Sequence, residues 1–309
     1  MSLHRLLGFR TSVPDPDGLV RFFGDLGLIA GANGWTGSDG GGAVSVTEGP
    51  FRRLESIAIG CTDDADVHAI ARRLAEGGAE ATIDGGSVTV RDPASRVAFT
   101  VTPAAPEAQP APPTLVTTNA PGATVRADAR APAVAVRARP PRRLGHLVIG
   151  TPDPGATRTL LVDGLGFKVS DEIAGFIHFL RCSPDHHNVA LVHSPVPLLQ
   201  HYSWECDDLD HVGHTGTALL RTDPTCATWG IGRHFAGSNF YWYFRDPAGS
   251  FLELYSDLDR ITDDEAWARE GRTEFGLEHI ANAWGPAIPT EFVVPTDLDT
   301  LQAAWSAAG

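Results

Sequence analysis

A chain of 309 residues with 24 Lys and Arg against 38 Asp and Glu carries a net charge of −14, which argues against duplex nucleic acid and anionic membrane as partners. The length suffices for two domains and a substantial core. Cys61, Cys182, Cys206 and Cys226 form no CxxC pair, so no zinc ribbon or disulfide framework is expected and a reducing cytoplasm is the simple expectation. Polar residues interrupt the N-terminal stretch before a long apolar run develops, so neither a signal peptide nor a membrane span is expected.

Residues 1–102 contain two similar passages, each a strand, an acidic-started helix and further strands. The first opens at Leu6–Thr11, turns at Pro14-Asp15-Pro16 and continues as a helix through Phe22-Phe23-Gly24-Asp25. The second opens at Leu54–Ile59 and enters a helix at Asp63-Asp64, whose apolar positions Val67, Ile70, Ala71 and Leu74 follow helical spacing. Strands near Ser87–Arg91 and Arg96–Thr102 close it. Residues 103–142, rich in Pro and Ala with little apolar periodicity, read as an extended linker with a short strand pair around Thr114–Thr118 and Ala133–Val136.

The remainder, 143–309, repeats the plan. Leu144-Gly145-His146 with Pro152-Asp153-Pro154 echoes Leu7-Gly8-Phe9 with Pro14-Asp15-Pro16, and Arg245-Asp246-Pro247-Ala248 repeats Arg91-Asp92-Pro93-Ala94 letter for letter. Four βαβββ modules in two pairs follow, an α+β architecture. Aligning the halves sets Phe9 opposite His146, about Ser56 opposite His201, and Phe99 opposite Glu253. The N-terminal half therefore lacks the ligand types of the second, and its expected role is to pack against and cover the site.

Arg245–Gly249 reads as a tight turn between a strand over Ser238–Phe244 and another over Ser250–Tyr255. Alternation puts Phe251, Glu253 and Tyr255 on one face. A carboxylate between such apolar neighbours either faces water on an edge strand or is held by a cation. His146 and His201 lie in strand-like runs of the same half, so two His and one Glu on separate strands offer the donors of a facial triad, with one side of an octahedral ion left open.

The order His146, His201, Glu253, with Gly232-Arg233-His234 and Tyr243-x-Arg245-Asp246-Pro247-x-Gly249 between the last two, resembles the type I extradiol ring-cleavage dioxygenases of the vicinal oxygen chelate superfamily. The resemblance covers nearly the whole chain and is strongest from Leu144 to Asp257. It implies a vicinal oxygen chelate fold of paired βαβββ modules in two similar open-barrel domains, the second catalytic. It implies Fe(II), or less often Mn(II), held by His146, His201 and Glu253, and a catechol-type substrate opened by O2 beside its two oxygens to a semialdehyde or keto acid. It carries over His187 as an acid–base group on the O2 side, and His234 and Tyr243 as hydrogen-bonding partners of the catechol oxygens. A homo-oligomer is implied as well.

Members that bind a carboxylated catechol supply a nearby arginine; at one position where it can occur this chain has Trp229, which favours an uncharged or aromatic substituent, with Arg181, Arg233 and Arg245 not excluded. Trp284 and Pro286–Pro289 are expected in the lid. His178 and His193 read as strand residues without a partner, and His211 and His214 as residues of an acidic, solvent-facing helix. Two rival readings share the fold: a glyoxalase-like lyase or transferase that uses its metal as a Lewis acid without O2, and a bleomycin-resistance-type binding protein without metal.

Overall fold

The structure is a computed structural model that describes residues 2–111, 118–135, 137–173, 176–270 and 282–308. Four βαβββ units follow one another. The first comprises β1 (Leu3–Val13), α1 (Pro16–Asp25), β2 (Ile29–Gly31), β3 (Gly34–Gly37) and β4 (Gly40–Glu48); the second β5 (Arg53–Cys61), α2 (Asp64–Glu76), β6 (Ala81–Asp84), β7 (Ser87–Arg91) and β8 (Ala98–Pro103). The third comprises β9 (Leu144–Thr151), α3 (Pro154–Thr159) running into a π-helical turn at Leu160–Leu165, β10 (Lys168–Ile173), β11 (Ile177–Arg181) and β12 (Val189–His193). The fourth comprises β13 (Leu198–Glu205), α4 (Leu209–Thr222), β14 (Ala227–Arg233), β15 (Phe240–Arg245) and β16 (Phe251–Ser256).

The repeated start of each helix has one chemical cause. Asp15, Asp63, Asp153 and Asp208 each accept a hydrogen bond from a backbone N–H of the first turn, a cap of about 1 kcal/mol. Pro16 and Pro154 sit where a helix needs no N–H. The repeated turn is equally local: Asp246 accepts from the N–H groups of Ala248 and Ser250, and Asp92 from those of Ala94 and Ser95.

Within each half, the first strands of its two units pair antiparallel and each first strand pairs parallel with the last strand of its own unit. This gives two eight-stranded sheets of matching order, β2-β3-β4-β1-β5-β8-β7-β6 and β10-β11-β12-β9-β13-β16-β15-β14. The expected α+β architecture of paired βαβββ modules is what forms. One apolar core joins the halves: Phe9 meets Tyr202 with ring centroids 5.5 Å apart, and Phe23 meets the same ring edge-on at 6.1 Å. Arg73 of α2 donates to the carbonyls of Gly164 and Leu165 across the same junction.

The registers correct the expected alignment of the halves. Phe9 lies beside Val44 and Ile57, as Leu147 lies beside Val189 and Tyr202, so Phe9 is the counterpart of Leu147. The counterpart of His146 is Gly8, paired with Ala58 as His146 is paired with Ser203. Ser56, beside Ala98, corresponds to His201, beside Phe251, and Thr100, beside Ala58, corresponds to Glu253, beside Ser203. The Leu-Gly echo had slipped by one residue, which in a strand exchanges faces. Phe9 and Phe99 therefore point into the shared core.

The connection after β8 is docked rather than free. His211 and Thr215 of α4 contact the carbonyl of Arg139, His214 contacts that of Ala133, and Arg142 bridges Asp39 and Asp207. His211 is buried and His214 half-buried, so the expectation of a solvent-facing helix fails because the connection covers that face. Pro132–Ala135 forms a 3-10 turn where a strand was expected, and the rest of that expected pair, 114–117 and 136, lies outside the described residues. Beyond β16, α5 (Asp264–Glu270), α6 (Thr290–Val293) and α7 (Leu298–Ala308) complete the described chain. Leu301 and Trp305 of α7 pack on Phe51, Val196 and Leu198, and buried Arg52 pairs with Asp297 while donating to the Leu199 carbonyl and Ser250. Among the described residues, no helix is long and apolar enough to cross a membrane.

Gly8 has φ +146°, and a Cβ built there lies 2.1 Å from the Ala43 carbonyl oxygen. Gly8→Ala should cost about 1–3 kcal/mol in urea unfolding; an unchanged midpoint would contradict the assigned register.

Candidate metal centre and its pocket

β9, β13 and β16 are neighbours at the middle of the second sheet, and alternation turns His146, His201, Ser203 and Glu253 to the face opposite the shared core. Glu253 has no exposed surface and its strand lies between β13 and β15, so the edge-strand alternative is ruled out. Its Oε2 stands 2.7 Å from His146 Nε2 and 3.5 Å from His201 Nε2. Ser203 Oγ donates to the same oxygen at 2.6 Å, and Asn239 Nδ2 donates to Oε1 at 3.0 Å.

Donor atoms of His146, His201 and Glu253 all lie within 4.8 Å of one another, and among the described residues they form the group that could hold a metal ion. His201 supplies the test of fit. Its Nδ1 pairs with Gln200 Oε1, which fixes the proton there, and its Nε2 is buried without a hydrogen-bond partner among the described residues. A buried polar atom left in that state costs about 1–3 kcal/mol, and a cation between the three donors would satisfy it. Burial pushes His201 down to about 3, so its imidazole is neutral and offers a lone pair at neutral pH. Burial would raise Glu253, but the charge of His146 and hydrogen bonds from His146 and His234 outweigh it and hold the carboxyl well below the usual range. Two imidazoles, that of His201 neutral, and one carboxylate suit a divalent ion with open positions.

The other three residues singled out in the sequence converge on the same cavity of about 400 Å³. The His187 ring lies 4.1 Å from that of His146, and burial, followed by the nearby histidines, pushes its imidazole well below the ordinary value. Tyr243 is directly beside Glu253 across the β15–β16 pairing, and its hydroxyl is hydrogen-bonded to His234 Nε2 at 2.9 Å. Burial and then the Glu253 carboxylate push the Tyr243 hydroxyl well up, so it stays protonated.

Val148, Phe179, Val192, Trp229, Ile288 and Phe292 supply much of the apolar wall. Trp229 stacks on Tyr243 at 5.3 Å with 12° between planes, and its indole N–H donates to the Pro286 carbonyl. None of the three candidate arginines lines the cavity: Arg181 pairs with Asp264, Arg233 with Asp257 and Arg245 with Glu291. The expected lid is corrected in part. Ile288, Phe292 and Val293 line the cavity, whereas Trp284 is 48% exposed and not among the lining residues. Among the described residues the lining comes entirely from the second half, so the described part of the N-terminal half packs against this half without covering the cavity.

Sequence reasoning missed Ser203, although it shares a strand face with His201, and it missed Asn239, whose loop gives no periodic signal. It also missed the partner of His178, which is Glu172 at 2.9 Å, and the place of His193 on the cavity wall.

His201 stays neutral in the folded chain down to about pH 3, whereas an unfolded histidine protonates near about 6.5. Between those values the unfolded state binds more protons, so stability falls as pH drops through that window. For chelator-treated protein the urea midpoint should fall from pH 6.5 toward pH 4, less steeply in His201→Gln; equal slopes would contradict the burial of a neutral His201.

The family described as Glyoxalase/Bleomycin resistance protein/Dioxygenase superfamily matches residues 143–254. Metapyrocatechase 2 of Cupriavidus necator is 35% identical over 159 residues, 51% of this chain and 48% of the relative. The iron-dependent extradiol dioxygenase of Rhodococcus jostii (strain RHA1) is 29% identical over 149 residues, 43% of this chain and 49% of that one. The chain thus spans about half the length of the curated relatives it matches. Among solved structures, homoprotocatechuate 2,3-dioxygenase from Brevibacterium fuscum, in complex with 3,4-dihydroxyphenylacetate, superposes with a TM-score of 0.72 at 18% identity, covering 94% of this chain and 92% of that one, a likeness of fold. The chain thus shares the α+β vicinal oxygen chelate fold, and its residues 143–254 match the model of the Glyoxalase/Bleomycin resistance protein/Dioxygenase superfamily.

Proposed function

We propose that this chain catalyses extradiol cleavage of a catechol-type aromatic by O2 at a mononuclear Fe(II) centre, Mn(II) being the alternative ion. The observation that carries the reading is the buried group His146, His201 and Glu253, open toward a cavity that also presents His187 and the His234–Tyr243 pair. His146, His201 and Glu253 would hold the ion, which would supply a redox-active Lewis acid for a catechol and O2.

The chain's own residues bind and orient. The apolar walls exclude water and hold the ring, and proximity accounts for much of the rate. Tyr243 and His234 sit on one side of Glu253 and can hydrogen-bond a catechol oxygen, favouring its monoanion. His187, on the side of His146, can exchange a proton with the second oxygen or with O2. Among the described residues no Lys or Arg lines the cavity, so an uncharged or aromatic substituent fits it and a carboxylate does not.

In the same reading the catalytic domain is 143–309, joined through the connection at 103–142 to a domain over 1–102, and the protein acts in the cytoplasm as a homo-oligomer. The rival readings on this fold make other use of the cavity. A Lewis-acid lyase or transferase would bind metal and consume no O2, and a binding protein would need no metal.

Oxygen uptake by anaerobically prepared, Fe(II)-loaded protein separates them. We expect one O2 consumed per 3-methylcatechol or 2,3-dihydroxybiphenyl with a yellow ring-opened product, all lost in His146→Ala, and a much lower kcat/KM for 3,4-dihydroxyphenylacetate. Tyr243→Phe should lower kcat/KM about 10- to 100-fold, the loss of one hydrogen bond to a charged oxygen. Metal binding without O2 uptake would select the lyase or transferase, and absence of metal the binding protein.

A further inference from the structure

His187 does not stand alone. Its Nδ1 lies 3.0 Å from Nδ1 of His186, and Nε2 of His186 lies 2.8 Å from Asp171 Oδ2. His186 has no exposed surface and is caged by the rings of Phe179 at 5.5 Å and Trp267 at 5.4 Å, while its backbone N–H donates to the Asp259 carbonyl. Asp171, on β10 and paired in register with Phe179, closes the chain on the outer side.

The proton positions follow from counting donors. A carboxylate only accepts, so the hydrogen of His186 is on Nε2. A neutral His186 then presents a bare Nδ1, and two facing nitrogens at this distance need one hydrogen between them, so it belongs to His187 Nδ1. A neutral His187 is left with a bare Nε2, the ring nitrogen that remains for a ligand in the cavity it lines.

We propose that Asp171 and His186 are positioning residues that hold His187 as the Nδ1–H tautomer and so present an acceptor, not a donor, to the cavity. This rests on the reading of His187 given under Proposed function only for its effect on turnover; the tautomer itself is a property of the fold. The device resembles a metal-ligand histidine fixed by its outer hydrogen bond, applied here to a residue outside the group of three. It gives His187 a definite first role toward a bound catechol, receiving an O–H, where either tautomer would otherwise serve.

The test is long-range ¹H–¹⁵N NMR of histidine-labelled, Zn(II)-loaded full chain, which requires no turnover, with His187 assigned by its loss in His187→Gln. We expect Nδ1 protonated and Nε2 bare in the wild type. In His186→Phe, which keeps an aromatic ring between Phe179 and Trp267, and in Asp171→Leu, His187 should move to the Nε2–H form that isolated histidine prefers. In the Fe(II) enzyme the same variants should lower kcat about 10- to 100-fold with KM changed less than about threefold. A wild-type His187 carrying its hydrogen on Nε2, or a tautomer unmoved in both variants, would overturn the proposal. The expected tautomers in a chain that consumes no O2 would instead overturn the proposed activity and leave this inference standing.

Discussion

The second half of the chain is organised by one costly placement, a carboxylate with no exposed surface at the middle of an eight-stranded sheet. A lone ionised carboxyl in such surroundings would be neutralised or the strand would not form. Glu253 is kept ionised by His146, Ser203 and Asn239, and His201 Nε2 lies 3.5 Å from it without a hydrogen-bond partner among the described residues. A cation held by the three donors would complete that arrangement. The hydrogen-bonded neighbours fix the donor atoms, and the nitrogen without a hydrogen-bond partner among the described residues marks where an ion would complete the set.

The two halves show what it takes to have or to lack such a site on one scaffold. Both sheets have the same order and both bring three strand positions together on the face away from the shared core. In the N-terminal sheet those positions are Gly8, Ser56 and Thr100, none of which supplies an imidazole or a carboxylate. Gly8 is further committed to a backbone conformation and a close approach to Ala43 that leave no space for a side chain. That half instead contributes structure: Phe9 and Phe23 against Tyr202, Arg73 against the turn at Gly164, and Arg52 tying α7 to β13.

What was legible in the sequence was what is local. Aspartate caps, the Asp-Pro turn and strand alternation are set by neighbours a few residues away, so the four units and the face shared by Phe251 and Glu253 could be read directly. The pairing of the halves was harder. A match of two letters, Leu-Gly, does not fix strand parity, and a slip of one put Phe9 where Gly8 belongs. Long-range docking was not legible at all: nothing near His211 announces that the connection preceding β9 lies over it, nothing near His178 announces Glu172, and Phe292 belongs to a tail whose apolar residues have no period. The partners of His187 were hidden for the same reason, since Asp171 reaches His186 only through the β10–β11 pairing.

The most direct test of this account is anomalous diffraction at the iron edge from crystals of the chain loaded anaerobically with Fe(II). The account predicts one peak per chain, within bonding distance of His146 Nε2, His201 Nε2 and a Glu253 carboxylate oxygen, and none in crystals of Glu253→Ala. A peak elsewhere, or the same peak surviving without the carboxylate, would contradict the claim that this buried group is the metal site.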